Sequence, residues 1–233
     1  GSRLAEAGVN AGGAGRETVK MRGNRSFAAR AVHTCTVPQS IFVSKIVLFN
    51  KPYGVLSQFT PEGKWRALDA FIPVKGVYVA GRLDADSEGL LILTDDGKLQ
   101  ARIADPKHKL EKTYWAQVEG LPDEAALDRL RAGIALSDFT AQPAKVRVID
   151  EPAGLWQRDP PIRYRAAIPT AWLEIRIREG KNRQVRRMTA AIGYPTLRLI
   201  RAAIGATSLA GLALGQWRQI EGSYQDLQGI FNA

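Results

Sequence analysis

The most informative stretch of this chain is residues 77–97, which read VYVAGRLDADSEGLLILTDDG. Residues 77–80 are mostly β-branched or aromatic, and residues 90–93 form a second apolar run after a polar turn. This alternation predicts a strand, a turn and a second strand. The turn places the carboxylate Asp84 close to the cation Arg82 between two rigid elements. Polar side chains on such short connections are often positioned for chemistry.

Composition restricts the classes of protein to consider. The 233 residues are enough for one sizeable core or two small ones. The 33 Lys and Arg residues outnumber the 23 Asp and Glu residues, giving a formal net charge of +10. A protein this basic usually binds a polyanion. No apolar run approaches the roughly 18 residues of a membrane span, so we expect no membrane partner.

The residues that hold metals and cofactors are scarce. Two histidines and one cysteine are too few for a zinc cluster, and neither GxxxxGK nor GxGxxG occurs. We therefore expect no metal and no cofactor, and a reaction carried out by side chains alone. The single cysteine, Cys35, excludes an internal disulfide and fits a reducing compartment, which we take to be the cytoplasm.

The chain divides into two regions of different composition. Residues 1–43 are rich in Gly, Ala, Ser and Arg and contain only two acids, Glu6 and Glu17. They predict a flexible basic tail, with an organelle transit peptide as the alternative. A folded domain is expected over residues 44–233, beginning with a buried strand that ends at a proline-containing turn. With no signal for an oligomer, a monomer is the default.

The remaining pattern predicts an α+β fold. Further strands are expected at residues 112–118, 144–149, 172–178 and 197–200. Helices are expected at residues 123–132 and 182–192, the second capped by Asn182 and ended by Gly193, with short helices at 65–72 and 98–104. Because strands outnumber helices and do not alternate strictly with them, we predict a mixed, mostly antiparallel sheet flanked by helices.

Residues 176–201 form the most basic part of the predicted domain. They contain eight Lys or Arg residues and one acid, Glu179. At about 100° per residue, Arg183, Arg186 and Arg187 lie on one face of the predicted helix and apolar residues lie on the other. A solvated helix face is the simplest alternative. The density of like charge without interleaved acids favours a nucleic-acid surface.

Three segments together carry a resemblance to a known family. They are NKPYGV (50–55), GRLD (81–84) followed by GLLILTDDG (89–97), and EGKNRQVRRM (179–188). These segments resemble, in order and spacing, the three signature motifs of bacterial rRNA pseudouridine synthases, in the branch that modifies ribosomal RNA at single uridines. The resemblance covers residues 45–220 and implies the catalytic-domain fold of that family.

This chain departs from the family pattern in two places. Many relatives have Thr at the position of Ser87, and most carry an S4-type RNA-binding domain before the first motif, where this chain has the low-complexity tail. The expected lack of an S4 domain, together with the segment WQRDPPIR (156–163), resembles a subgroup of the large-subunit enzymes. That subgroup modifies one uridine of 23S rRNA, which is therefore the expected partner.

The resemblance also implies a reaction and its residues. The enzyme cuts a C–N glycosidic bond, rotates the uracil and rejoins it through carbon, and the uridine must be unpaired or flipped out of a duplex. By motif position, Asp84 is the nucleophile, Arg186 its basic partner, and Tyr114 stacks on the target base. The residues alone leave strand packing open for Tyr114 and do not choose between Arg186, Arg183 and Arg187.

A broader set of basic residues is expected to bind RNA. Its members are Arg82, Lys181, Arg183, Arg187, Arg198 and Arg201. Asp86 and Glu88 are expected to form the turn and to face solvent.

Three alternatives remain from the residues alone. Asp84, Asp86, Glu88, Gly89 and Asp95 match positions 1, 3, 5, 6 and 12 of a calcium-binding loop. Against calcium, position 12 is Asp rather than Glu and strands are expected on both sides. A nucleoside glycosidase using the same aspartate is the second alternative, and a non-catalytic RNA-binding protein of ribosome assembly is the third.

Overall fold

The computed structural model describes residues 43–108, 110–162, 165 and 167–232. The predictions of a basic tail and of a missing S4 domain concern residues 1–43, of which all but residue 43 lie outside these ranges. The strands are β1 (Ser44–Lys51), β2 (Tyr78–Ala80), β3 (Glu88–Thr94), β4 (Lys112–Glu119), β5 (Ile134–Ala135), β6 (Thr140–Ala141), β7 (Lys145–Ile149), β8 (Thr170–Ile177), β9 (Thr196–Ile204), β10 (Thr207–Ser208) and β11 (Trp217–Gly222). The helices are α1 (Gly97–Ala104), α2 (Glu124–Ala132), α3 (Gln184–Ala191) and α4 (Tyr224–Gly229), with 3₁₀ turns at Leu68–Ala70 and Pro106–His108.

One large mixed sheet dominates the described residues. It has nine strands, seven of them in the order β11-β1-β3-β9-β4-β8-β7, with β2 paired to β3 and β10 paired to β9. β3 and β9 run parallel, while the other described pairs in this sheet are antiparallel. The predicted α+β fold with a mixed, mostly antiparallel sheet is therefore confirmed. Within the described ranges, no helix is both long and apolar enough to cross a bilayer.

Apolar residues cover both faces of this sheet. On β1, Phe49 belongs to one buried cluster and Leu48 belongs to another. Because successive side chains of a strand point to opposite faces, the two clusters lie on opposite sides of the sheet. All seven residues of β3 are buried, which explains why its sequence is a continuous apolar run rather than an alternating one.

The parallel contact between β3 and β9 fixes where the polar turn lies. Gly89 of β3 is in register with Arg201 of β9. Gly89 has a φ of 101°, and a Cβ built on it would lie 2.5 Å from the backbone oxygen of Arg201. Only glycine allows this close approach of two backbones. Residues 81–87 lead directly into β3 and therefore lie next to a central strand of the sheet. We call these residues the 81–87 loop.

The start of α3 differs from the prediction. Asn182 is not the N-cap, since the helix starts at Gln184 and the capping position is Arg183, whose side chain makes no capping hydrogen bond. Gln184 organises the turn instead: its Oε1 accepts from the Lys181 backbone N–H at 2.9 Å, and its Nε2 donates to Glu179. The first residue of the helix thus makes the side-chain hydrogen bonds that were expected from a capping residue.

Other boundaries agree more closely with the pattern. The apolar stripe of α3 is confirmed, because Val185 and Met188 are buried. The predicted helix at 65–72 is wrong in extent, since only a three-residue 3₁₀ turn forms there. β11 and α4 were not predicted from the sequence. β11 lies at the sheet edge with half-buried and exposed residues, so its apolar signal is weak.

Candidate active site

The 81–87 loop is held from two sides. The Ser57 hydroxyl donates to the Leu83 carbonyl at 2.7 Å and accepts from the Leu83 N–H at 3.0 Å. From the sheet, the Arg201 guanidinium donates to the carbonyls of Gly81 at 2.8 Å and Arg82 at 3.3 Å. These contacts fix the backbone of residues 81–83, directly before Asp84.

Asp84 lies beside Arg183 at the start of α3. Arg183 Nη1 is 3.4 Å from Asp84 Oδ2, and the same guanidinium donates to both carboxylate oxygens of Asp86 at 3.1 and 2.8 Å. Arg186 lies behind this pair, donating to the backbone oxygen of Asp86 at 2.7 Å and to that of Thr196 at 3.3 Å. The cation nearest to Asp84 is thus Arg183, whereas the motif resemblance assigns that role to Arg186.

Asp86 belongs to this charged cluster, contrary to the expectation that it faces solvent. Burial opposes ionisation of Asp86, but the hydrogen bonds from Arg183 and the charge of Arg186 outweigh it and lower the pKa of this carboxyl. Burial also lowers the pKa of Arg186, although Asp86 opposes the effect. Asp84 has the more exposed side chain of the two acids, 38% against 30%.

The backbone at Arg183 is unusual. Its φ of 48° and ψ of 29° lie in the left-handed region, which costs a non-glycine residue about 1 kcal/mol or more. The neighbouring turn enforces this conformation through the contacts of Gln184 described above. As a result, the guanidinium of Arg183 reaches both Asp84 and Asp86, an arrangement that a regular helical start would not provide.

Several predicted site residues meet in one cleft of about 530 Å³, a volume typical of small-molecule sites. The side chain of Tyr114, on β4, is buried at one wall. Ile177 and Leu199 add apolar surface. The predicted residues that line the cleft are Asp84, Tyr114, Arg82, Lys181, Arg183 and Arg201. An aromatic ring, a carboxylate and several cations therefore share one concave surface.

Three other predicted residues lie outside the cleft lining. Arg186 is only 13% exposed and is bound to Asp86. Arg187 pairs with Asp138 and lies over the ring of Phe139 at 5.0 Å. The third, Arg198, is buried at 6% exposure.

The buried positions of Arg198 and Arg201 correct the expectation that both contact RNA. Arg201 lines the cleft but is only 2% exposed, and its guanidinium is bonded to backbone carbonyls of the 81–87 loop and of Leu90. Arg198 is bonded to Glu88. Both arginines stabilise the interior beneath the loop.

Glu88 is also buried, at 1% exposure, where solvent exposure was expected. Its carboxylate accepts from Arg198 Nε and Nη2, both at 2.9 Å, and from Trp156 Nε1 at 2.7 Å. This cluster attaches the segment around Trp156 to the start of β3. The sequence indicated this burial only weakly, through the position of Glu88 at the start of the apolar run of β3.

Glu88→Gln tests the contribution of this buried ion pair. The substitution leaves Arg198 buried without a counter-charge, so we expect the free energy of unfolding to fall by about 3 kcal/mol. Urea denaturation measures the change. Arg147→Gln breaks another two-bond Arg–Glu contact, to Glu174. Because Arg147 is exposed and Glu174 keeps its second partner Arg176, this change should leave the midpoint almost unchanged. Equal effects of the two substitutions would contradict this assignment.

Lys51, in the first motif, is a second buried charge that sequence reasoning missed. It is 0% exposed, and its Nζ donates to the carbonyls of Pro52 at 2.9 Å and Val55 at 2.7 Å. Burial lowers its pKa to about 7, although Glu88 and Asp86 oppose the shift. Lys51 therefore acts as an internal anchor for the turn that follows β1.

The calcium-loop alternative does not fit the geometry. Glu88–Thr94 forms an extended strand, so the two ends of the supposed calcium loop's second half are roughly 20 Å apart. The carboxylate of Glu88 is engaged by Arg198. In the part of the chain that the structure describes, no group of three or more His, Cys, Asp or Glu residues could hold a metal ion.

The fold and the site identify the class of protein. A family model described as RNA pseudouridylate synthase matches residues 45–191. The chain belongs to this family, and it is an isomerase that forms pseudouridine in RNA. A crystal structure of a pseudouridylate synthase superimposes with a TM-score of 0.65 at 27% identity, covering 80% of this chain and 74% of the other.

Relatives of known name narrow the resemblance further. Ribosomal large subunit pseudouridine synthase E of Vibrio vulnificus is 58% identical over 181 residues, which are 78% of this chain and 77% of the relative. The protein of the same name from Xanthomonas campestris is 58% identical over 175 residues, 74% and 94% of the two chains. Synthase B of Bacillus subtilis is 35% identical over 176 residues, 74% and 66% of the two chains. The predicted resemblance to one subgroup of the large-subunit enzymes is confirmed, and its members carry the name synthase E.

Proposed function

We propose that this protein converts one uridine of 23S rRNA to pseudouridine, acting in the cytoplasm as a monomer and using side chains alone. The observation that carries the proposal is the single cleft in which Asp84 and Tyr114 lie among cations. The names of the relatives support a large-subunit RNA as the substrate. Asp84 is proposed as the nucleophile.

RNA is proposed to bind at the rim of the cleft. Arg82, Lys181 and Arg183 are exposed there, and cations of this kind hold phosphates without reading sequence. Arg187, half-buried beside Phe139, extends this basic surface. An RNA duplex hides the glycosidic bond of a paired uridine, so the target uridine is flipped into the cleft. There Tyr114 stacks on the uracil ring.

The chemical steps follow from the position of Asp84. The Arg183 guanidinium, 3.4 Å from Asp84 Oδ2, orients the carboxylate. Asp84 either attacks C1′ of the ribose or removes the proton from C2′, and in both cases the C1′–N1 bond breaks and its electron pair moves to the base. The uracil then rotates and C5 bonds to C1′. This step releases the Asp84 carboxylate from C1′ or returns the abstracted proton to C2′, and loss of the proton on C5 restores the C5–C6 double bond.

Three arginine variants separate binding from chemistry. Arg187→Ala should weaken RNA binding several-fold and reduce the slope of log K against log salt by about 0.7–0.9, because it removes one phosphate contact. Arg186→Ala should leave binding within about threefold but lower the single-turnover rate by about 10²-fold. This mostly buried residue pairs with the Asp86 carboxylate and also donates to the Asp86 backbone carbonyl, so it holds the loop that carries Asp84. Arg183→Ala should impair both. Equal losses in all three variants would contradict these assignments.

The proposed substrate can be tested directly. Unmodified 23S and 16S transcripts are incubated with the protein, and pseudouridine is mapped by carbodiimide adducts and primer extension. We expect one new stop in 23S rRNA and none in 16S rRNA. Release of free uracil would indicate a glycosidase instead, and RNA binding without any modified nucleotide would indicate a non-catalytic binding protein.

A further inference from the structure

Lys112 is a buried cation in the cleft to which the proposed chemistry assigns no role. It begins β4 and precedes Tyr114 by two residues, and buried residues alternate along this strand. Lys112 and Tyr114 therefore lie on the same face of the sheet, with Cα atoms roughly 7 Å apart. Both residues line the cleft that contains Asp84, and Lys112 is only 5% exposed.

The ammonium of Lys112 makes few hydrogen bonds for a buried charge. Its Nζ donates to the Leu110 carbonyl at 3.4 Å, whereas a lysine has three hydrogens to donate. Among the described residues, no carboxylate forms an ion pair with it, and the charge that acts on it is the cation Arg201. Buried lysines are normally paired, so the ammonium of this cleft-lining residue retains donor capacity that a bound ligand can use.

Burial, together with the charge of Arg201, lowers the pKa of Lys112 to about 8. The group is therefore still mostly protonated at neutral pH and can act as a hydrogen-bond donor.

We propose that Lys112 is a further catalytic residue, which donates to a carbonyl oxygen of the flipped uracil and stabilises the negative charge on the departing base. The assignment rests on the function proposed above. The base is favoured over a phosphate as the acceptor because Lys112 is buried on the same face of β4 as Tyr114. The cations Arg82 and Lys181 are exposed at the rim of the cleft, where phosphates are proposed to bind.

The electron balance shows when the contact matters. When the C1′–N1 bond breaks, its electron pair moves to N1 and is delocalised onto the two carbonyl oxygens of the uracil. This charge appears whether Asp84 attacks C1′ or removes the C2′ proton. A preorganised ammonium at one of these oxygens stabilises the transition state more than the neutral bound uridine, which raises the rate and not the affinity.

Single-turnover kinetics on an unmodified 23S rRNA fragment that contains the target uridine test the proposal. Lys112→Met keeps the length and apolar stem of the side chain but removes the charge. We expect it to lower the rate by about 10²-fold and to leave the RNA dissociation constant within about threefold. Lys112→Arg should recover part of the rate. Lys145→Met, a matched change on the exposed end of β7, should match wild type.

A substrate with 5-fluorouridine at the target position isolates the step. Fluorine stabilises the uracil anion, so the departing base needs less help from the protein. We expect the rate ratio of wild type to Lys112→Met, measured as loss of 5-fluorouridine, to shrink at least about threefold compared with uridine. This ratio is insensitive to a uniform loss of folded enzyme. Lys112→Gln provides a second neutral variant if Lys112→Met does not fold.

Each outcome has a distinct meaning. A wild-type rate for both neutral variants, or a deficit equal on both substrates, would overturn the role of Lys112 while leaving the proposed function intact. Weaker RNA binding with a smaller salt slope and an unchanged rate at saturation would assign Lys112 to a phosphate instead. Absence of pseudouridine with the wild-type protein would overturn the proposed function itself, and the base contact with it.

Discussion

Asp84→Asn is expected to lower the rate of pseudouridine formation by at least about 10⁴-fold, the usual scale for removing a nucleophile. The amide keeps the shape of the side chain and can still lie beside Arg183, so binding of RNA should change by less than about threefold. Single-turnover conversion of a 23S rRNA fragment and a filter-binding measurement report the two quantities. The expected result is a protein that binds normally and does not react.

Asp86→Asn is the matched control for this experiment. Both acids contact Arg183, but Asp84 lines the cleft and Asp86 packs against Arg186. Asp86→Asn should therefore lower the rate by only about tenfold, through a less well-positioned Arg183. If the two substitutions were equally damaging, or if Asp86→Asn were the worse, the nucleophile would have to be reassigned.

Gly89→Ala is expected to have the largest effect on stability. A methyl group there would lie 2.5 Å from the Arg201 oxygen and 2.8 Å from its nitrogen, at a φ of 101°. Strain at such a φ costs about 1–3 kcal/mol, and the backbone clash adds to it because neither strand can move within the sheet. We expect the free energy of unfolding to fall by at least about 4 kcal/mol, or the melting temperature by roughly 8–16 °C.

Gly97→Ala provides the comparison for this prediction. Gly97 is the first residue of α1, and a Cβ there meets nothing within 4 Å. Alanine should be neutral or slightly stabilising at this position. Thermal melts of the two variants, measured side by side, decide the matter: a Gly89→Ala variant as stable as Gly97→Ala would show that β3 and β9 do not approach as closely as described.

The elements with strong apolar patterns could be predicted from the sequence, and those without could not. β1, β3 and β4 carry long runs of apolar or alternating residues, so their existence followed from local pattern. β11 and α4 lie at the sheet edge, where half-exposed residues leave little periodicity. The cap of α3 was mispredicted because a side chain inside the helix, Gln184, competes with Asn182 for the same role.

The residues of the candidate site could be predicted from the sequence, but the contacts between them could not. The motifs indicated Asp84, Tyr114 and the arginine helix, and the structure brings Asp84 and Tyr114 into one cleft. Which arginine approaches Asp84 depends on the left-handed backbone at Arg183, and helical periodicity assumes regular dihedral angles. The burial of Glu88 and Arg198 depends on Trp156, which is distant in sequence, so no local pattern could reveal it.

The parallel pair at the centre of the sheet has a consequence for how such an enzyme can change its target. The 81–87 loop leads directly into β3, and α3 leads into β9 through residues 192–195. Because these strands are adjacent, the separation of Asp84 and Arg183 is set by strand spacing and two short connections. Residues 120–155, on the connection between β4 and β8, do not pair with either of these two strands. They can diversify to recognise a new RNA while the reacting groups keep their distance.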